Sequence, residues 1–147
     1  MATTTASLDI PQSPDRVRRL IGGFGSLPDW LPYIPESELS EGGRVRRPTN
    51  QDGGVIVERL QAFDHDARGY SYAIEEAPFP VTGYLSTPRV HAVPGSPGVS
   101  RVEWSGTFTP VGVSDTDAEE LFHGNYADGL AALLESLSAV TRRSPSA

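Results

Sequence analysis

Glu58 stands in a row of apolar side chains. Residues 55–63, VIVERLQAF, have the β-branched, alternating character of a strand. Alternation places Ile56, Glu58, Leu60 and Ala62 on one face and Val55, Val57, Arg59, Gln61 and Phe63 on the other. A carboxylate in such a row is costly unless it is paired or hydrated. Either Glu58 meets an arginine of a neighbouring strand, Arg44 or Arg46, or the row faces a cavity and Glu58 contacts a ligand or moves a proton. Parity gives it company. Tyr70, Tyr72 and Ile74 share a face of the next strand. Thr82, Tyr84, Ser86, Pro88 and Val90 share a face of the one after, and Val102, Trp104, Gly106 and Phe108 share a face of the last. In a C-terminal helix, Phe122 and Tyr126 are one turn apart. His123 lies roughly 60° from Tyr126, with Glu119 one turn earlier as its partner. Glu119, His123 and Tyr126 form the acid–imidazole–phenol set that periodicity supports. The expected cavity lining is Glu58, Tyr72, Ile74, Tyr84, Trp104, Phe108, Phe122 and Tyr126, with Trp30 and Tyr33 closing one end. Aromatic side chains are also ordinary core residues, and His123 is equally well a surface histidine satisfied by Glu119.

Composition excludes other chemistry. All twelve basic residues are arginine, and there is no lysine and no cysteine. Schiff-base, thiol and disulfide chemistry and thiolate metal sites are therefore absent. The three histidines, His65, His91 and His123, have no ligand spacing, so neither a metal nor a cofactor is expected. The net charge of −7 argues against nucleic acid and anionic membrane as partners. No apolar run approaches the ~20 residues that span a bilayer, and the N-terminus has no basic-then-apolar leader. A cytoplasmic protein, monomeric or homodimeric, is expected.

The elements that must position these residues can be read in order. Residues 3–10 alternate as a first strand. Ser13-Pro14-Asp15 starts a helix carrying Val17, Leu20, Ile21 and Phe24, and Gly22, Gly23 and Gly25 end it. A second short helix carries Trp30 and Leu31 and stops at Pro32 and Pro35. Strands are expected at 38–47 (a polar edge), 55–63, 68–76, 81–93 and 99–109, with a loop over 94–98. Thr116-Asp117-Ala118-Glu119 has the form of a capping box. The helix it opens buries Phe122, Tyr126, Leu130, Leu133 and Leu137 and ends near Ala139, leaving 141–147 as a disordered tail. The sum is an α+β chain: one domain over residues 1–140, a curved antiparallel sheet of about six strands around a long C-terminal helix, and two short helices after the first strand. A helix laid across a curved sheet leaves an internal cavity beneath it.

In this order the elements, with Ile10-Pro11, Ser13-Pro14-Asp15-Arg16-Val17, Leu27-Pro28-Asp29-Trp30-Leu31-Pro32, Pro80-Val81-Thr82-Gly83-Tyr84 and Val102-Glu103-Trp104-Ser105-Gly106-Thr107-Phe108, resemble the START/Bet v 1-like helix-grip (SRPBCC) superfamily. The closer likeness is to its polyketide cyclase/dehydrase and lipid-transport branch, over nearly the whole chain. Glu58-Arg59-Leu60 also looks like a stretch of the plant hormone receptors in that superfamily, where the Glu lines the pocket. Their carboxylate-anchoring lysine cannot exist here, and their gate-loop sequence is missing from residues 50–54, so hormone reception is not implied. The resemblance implies a helix-grip fold and either of two activities. One is binding of a hydrophobic or aromatic small molecule. The other is cofactor-independent cyclisation or dehydration of a polyketide-like substrate, with Glu58 as base, Tyr72 or Tyr84 on an enolate oxygen and His123 relaying a proton.

Overall fold

The computed structural model describes residues 2–32, 34, 36–49, 56–64, 66 and 68–143. Seven strands form one antiparallel sheet in the order β1-β7-β6-β5-β4-β3-β2: β1 (Ala2–Ile10), β2 (Glu36–Ser40), β3 (Val45–Thr49), β4 (Val57–Asp64), β5 (Gly69–Glu76), β6 (Val81–Val93) and β7 (Ser96–Pro110). Two short helices, α1 (Pro14–Ile21) and α2 (Leu27–Trp30), follow β1, and the long α3 (Asp115–Arg143) ends the chain.

Seven strands form, not six, because the expected edge strand at 38–47 is a hairpin. Glu41, Gly42 and Gly43 all have positive φ, at 52°, 72° and 87°. Two of the three are glycines, for which this region carries no Cβ penalty. The turn folds β2 back on β3, pairing Ser40 with Val45. The expected loop at 94–98 shrinks to Pro94-Gly95, with Val93 paired to Ser96 and Gly95 at φ 77°. A proline followed by a positive-φ glycine is the central pair of a type II turn, so β7 starts three residues early.

Ser13 caps α1 as expected, its Oγ accepting from Arg16 N at 3.3 Å. The cap of α3 is Ser114, not Thr116. Ser114 Oγ accepts from Asp117 N at 3.0 Å, and its carbonyl accepts from Ala118 N at 3.1 Å. This start leaves Asp115 and Asp117 in the first turn, where acids favour the helix dipole. The helix runs on to Arg143, past the expected end near Ala139, so 141–143 are helical.

α3 lies against β1 and β7. Phe122, Tyr126, Leu130, Leu133 and Leu137 are all buried, at the expected i, i+4, i+8 spacing and its continuation. Strand parity holds on β5, β6 and β7: Tyr70, Tyr72, Tyr84, Ser86, Val90, Val102, Trp104 and Phe108 are buried on the helix side. Thr3 N, on the free edge of β1, donates to Glu119 Oε2 at 3.1 Å. The carboxylate thus blocks part of an edge that would otherwise pair with another chain.

Candidate functional site

A cavity of about 390 Å³ opens between α3, the α2 region and the inner face of β3–β7. The expected lining residues Glu58, Tyr72, Ile74, Tyr84, Trp104, Phe122 and Tyr126 all border it. Two do not. Phe108 is buried behind the lining, stacked on Tyr84 at 6.1 Å and packed on Phe122 at 4.7 Å. Trp30 is buried against Trp104 at 5.8 Å, supporting the wall without forming it. Tyr33 lies outside the described residues, as does His65. Alternation alone cannot separate lining from backing, because both point to the same side of the sheet.

Sequence reasoning missed Leu27, Leu31, Ile34, Pro48, Phe79, Asn125 and Asp128 as lining residues. Phe79 sits in a Pro-Phe-Pro turn with no periodicity to read. Asn125 and Asp128 are exposed, so they mark the cavity mouth on α3.

Glu58 does face the cavity, and it is also paired. β3 and β4 place Arg46 directly across from it. Arg46 Nε donates to Glu58 Oε1 at 2.7 Å, with the residues only 1% and 6% exposed. Arg46 Nη1 donates to Phe24 O and to Tyr70 Oη, each at 3.1 Å. The guanidinium carbon lies 4.3 Å from the Phe24 ring centroid and 4.6 Å from that of Tyr72. Burial works against the Arg46 charge, but Glu58 and the surrounding phenols outweigh it and hold the guanidinium firmly protonated. The two sequence readings of Glu58 are therefore both realised. The pairing has a chemical consequence. A proton taken by Glu58 would leave a buried guanidinium without its counter-charge, a costly arrangement that disfavours a simple general-base role.

A second polar group also borders the cavity. The Tyr84 and Tyr126 hydroxyls share a short hydrogen bond. Ser86 Oγ donates to Ser105 O at 2.8 Å, accepts from Trp104 Nε1 at 2.9 Å and lies 3.4 Å from the Tyr126 hydroxyl. Burial pushes the Tyr72, Tyr84 and Tyr126 hydroxyls above their ordinary pKa; Glu58 adds to the rise at Tyr72, and Tyr72 adds to it at Tyr84. The cavity thus presents neutral phenols that donate hydrogen bonds.

The sign of the stability effect follows. The unfolded chain ionises its tyrosines near pH 10, whereas these three stay protonated in the fold. Their contribution is complete below that pH and is lost as pH rises above it toward the folded values. Urea midpoints measured between pH 8 and 11 should fall only at the alkaline end, and replacing Tyr72 and Tyr84 with phenylalanine should flatten the fall. An unchanged slope in that variant would contradict the shifts.

His123 is not part of the site. It is exposed on α3, and Glu119, its expected partner, is engaged by Thr3 N. Phe122 and Tyr126 point into the cavity, and the 60° offset carries His123 past the edge of that stripe to the water side. His91 is on the outer face, as its parity implied, 3.4 Å from Glu103. Among the described residues no group of three or more His, Asp or Glu side chains is placed to hold a metal ion, and no helix is long and apolar enough to cross a membrane.

A family model described as polyketide cyclase / dehydrase and lipid transport matches residues 1–137. The chain belongs to this family. Its helix-grip fold is similar to that of a START superfamily protein from Mycobacterium smegmatis, at 12% identity and a TM-score of 0.77 over 95% of this chain and 99% of that one. Among solved structures, protein XoxI from Bacillus cereus is 60% identical, with a TM-score of 0.88 over 92% of this chain and 95% of that one. An uncharacterized protein from Bacillus thuringiensis is 58% identical, with a TM-score of 0.88 over 92% of this chain and 98% of that one. The di-domain ARO/CYC BexL from the BE-7585A biosynthetic pathway is 22% identical, with a TM-score of 0.81 over 96% of this chain and 48% of that one; this likeness speaks to fold. No curated protein matches the chain. Family membership supports small-molecule binding or cyclase chemistry in general terms, and hydrophobic small molecules as the partner class.

Proposed function

We propose that the protein binds one hydrophobic or aromatic small molecule in the cavity beneath α3. The observation that carries this reading is the lining. Tyr72, Tyr84, Phe122, Tyr126 and Trp104 supply apolar ring surface around about 390 Å³, a volume within the range of small-molecule sites. Two polar features, the Arg46–Glu58 pair and the Tyr84–Tyr126 hydroxyls, stand on this wall to fix a ligand's orientation. Phenols that stay neutral suit a carbonyl or hydroxyl oxygen on the ligand.

Native mass spectrometry of the purified protein tests this, with 2-naphthol titration followed by Trp104 fluorescence in a Trp30→Phe background. A co-purified small molecule, or saturable quenching by 2-naphthol, is the expected result. Absence of both overturns the proposal.

The second reading is a cofactor-independent cyclase or dehydratase, and the paired tyrosine hydroxyls favour it. Two phenols sharing a hydrogen bond can stabilise charge that develops on an enolate oxygen. In this reading the donors are the Tyr84 hydroxyl, bonded to Tyr126, or that of Tyr72, and Glu58 acts only if substrate displaces it from Arg46. Glu58→Gln separates the two readings. It keeps a hydrogen-bond acceptor for Arg46 but carries no charge and cannot take a proton, so, in variant protein shown to be folded by circular dichroism, it abolishes turnover in a cyclase and changes affinity in a binder. Full turnover of a polyketide-like substrate by this variant would remove Glu58 from the catalytic scheme.

A further inference from the structure

The sheet has a slit in it. β5 and β6 pair at Gly69–Arg89, Tyr72–Ser86 and Ala73–Leu85, and no pair follows between 74–76 and 81–84. Each strand keeps its other neighbour there: Glu76 pairs with Val57, and Val81 and Thr82 pair with Pro110 and Thr109. The cause is a bulge. Between the Thr82–Thr109 and Leu85–Thr107 pairs, β6 has one more residue than β7, and Gly83 within it has φ 61°. A bulge with a left-handed glycine bends its strand and ends pairing on the far side. The slit holds about 400 Å³ and is bordered by Glu75, Glu76, Val81, Thr82 and Gly83. Ile74, Phe79 and Tyr84 border both the slit and the main cavity. Tyr84, only 4% exposed, is thus a wall that the two spaces share.

We infer that the slit is a second compartment of the binding site, and that the ligand has two parts. An aromatic or apolar body fills the main cavity, and an uncharged, hydrogen-bonding arm passes beside Phe79 into the slit. This rests on the cavity reading proposed above. The arm's chemistry follows from the walls. Strand edges that do not pair with each other present backbone N–H and C=O groups that need partners, so the arm carries donors and acceptors. The outer lip carries the Glu75 and Glu76 carboxylates, Glu75 held by Arg59, so an anionic arm is disfavoured there.

The test compares three probes: 2-naphthol, 2-naphthol bearing a tetra(ethylene glycol) arm that ends in a hydroxyl, and the same arm ending in a carboxylate. Thr82 borders the slit and not the main cavity, and it is exposed, so Thr82→Trp fills the slit without touching the main lining. In the wild type the hydroxyl-armed probe binds about tenfold more tightly than 2-naphthol, and the carboxylate-armed probe does not share that gain. In Thr82→Trp the gain disappears while 2-naphthol affinity is unchanged. Thr82→Phe, with circular dichroism as a check on folding, guards against a misfolded variant. In the wild type the amide signals of Thr82 and Gly83 move with the hydroxyl-armed probe and not with 2-naphthol. If 2-naphthol binds and neither variant changes the preference for the arm, or if those amides stay still, the second compartment is refuted and the main cavity stands. An equal gain with the carboxylate arm refutes the uncharged-arm assignment. If 2-naphthol fails to bind the wild type, the cavity reading falls and takes this inference with it.

Discussion

Glu58→Ala is expected to lower stability by about 3–5 kcal/mol, the usual loss when one member of a buried ion pair is removed. The residue that suffers is Arg46. It is 1% exposed, and its remaining contacts are the Phe24 carbonyl, the Tyr70 hydroxyl and the faces of aromatic rings. None of these carries a full negative charge. The guanidinium must stay buried and uncompensated, or pull β3 outward to reach water. Urea denaturation of the single variant and of Arg46→Leu/Glu58→Leu separates the charge effect from the loss of packing. The double variant should be more stable than Glu58→Ala, because an apolar pair leaves no orphaned charge. A loss below about 1 kcal/mol for Glu58→Ala would mean that the pair is hydrated in solution, as surface pairs are.

Gly106→Ala is expected to cost about 1–3 kcal/mol through overpacking. Gly106 lies on β7, and a Cβ there would sit 2.1 Å from the Tyr126 hydroxyl and 3.2 Å from its Cζ. A tyrosine hydroxyl could swing aside if its ring were free. This ring is stacked on Trp104 at 5.2 Å, and its hydroxyl is bound to Tyr84. The methyl therefore breaks the Tyr84–Tyr126 hydrogen bond or shifts the ring into the cavity. Adding Tyr126→Phe removes the atom that the methyl meets. In a double-mutant cycle by thermal denaturation the two losses should be less than additive. Simple additivity would show that Gly106 and Tyr126 do not contend for the same space. Gly129 plays the same part on the helix side. A Cβ there would lie 2.6 Å from Trp104 Cζ3, which accounts for a poor helix former in the middle of α3.

Strand alternation and the helical stripe on α3 carried most of the cavity wall. Tyr72, Ile74, Tyr84, Trp104, Phe122 and Tyr126 each fall on the side their parity assigned. The reason is that burial of one face repeats every two residues in a strand and every 3.6 in a helix. Errors came where the position depended on something other than period. Of the two readings of His123 the surface one holds, because an angle of 60° on a helix spans the boundary between cavity and water. Phe108 and Trp30 failed because depth within the core is not periodic. The hairpin at 36–49 was misread as one strand because its polar residues gave no break except Glu41-Gly42-Gly43.

Residue order and type by themselves determined an antiparallel sheet with two short helices after the first strand and a long C-terminal helix, the absence of lysine and thiol chemistry, and a carboxylate among apolar residues on one face of β4. These follow from local propensity, periodicity and composition, which need no partner. Only the tertiary structure decided that Arg46 is the partner of Glu58, that the Tyr84 and Tyr126 hydroxyls meet, and that β5 and β6 part at Gly83. The first two join groups 12 and 42 residues apart, and the third depends on a register that a single extra residue resets. Such contacts are set by how the sheet curves and where it bulges, and no pattern along the chain records that curvature.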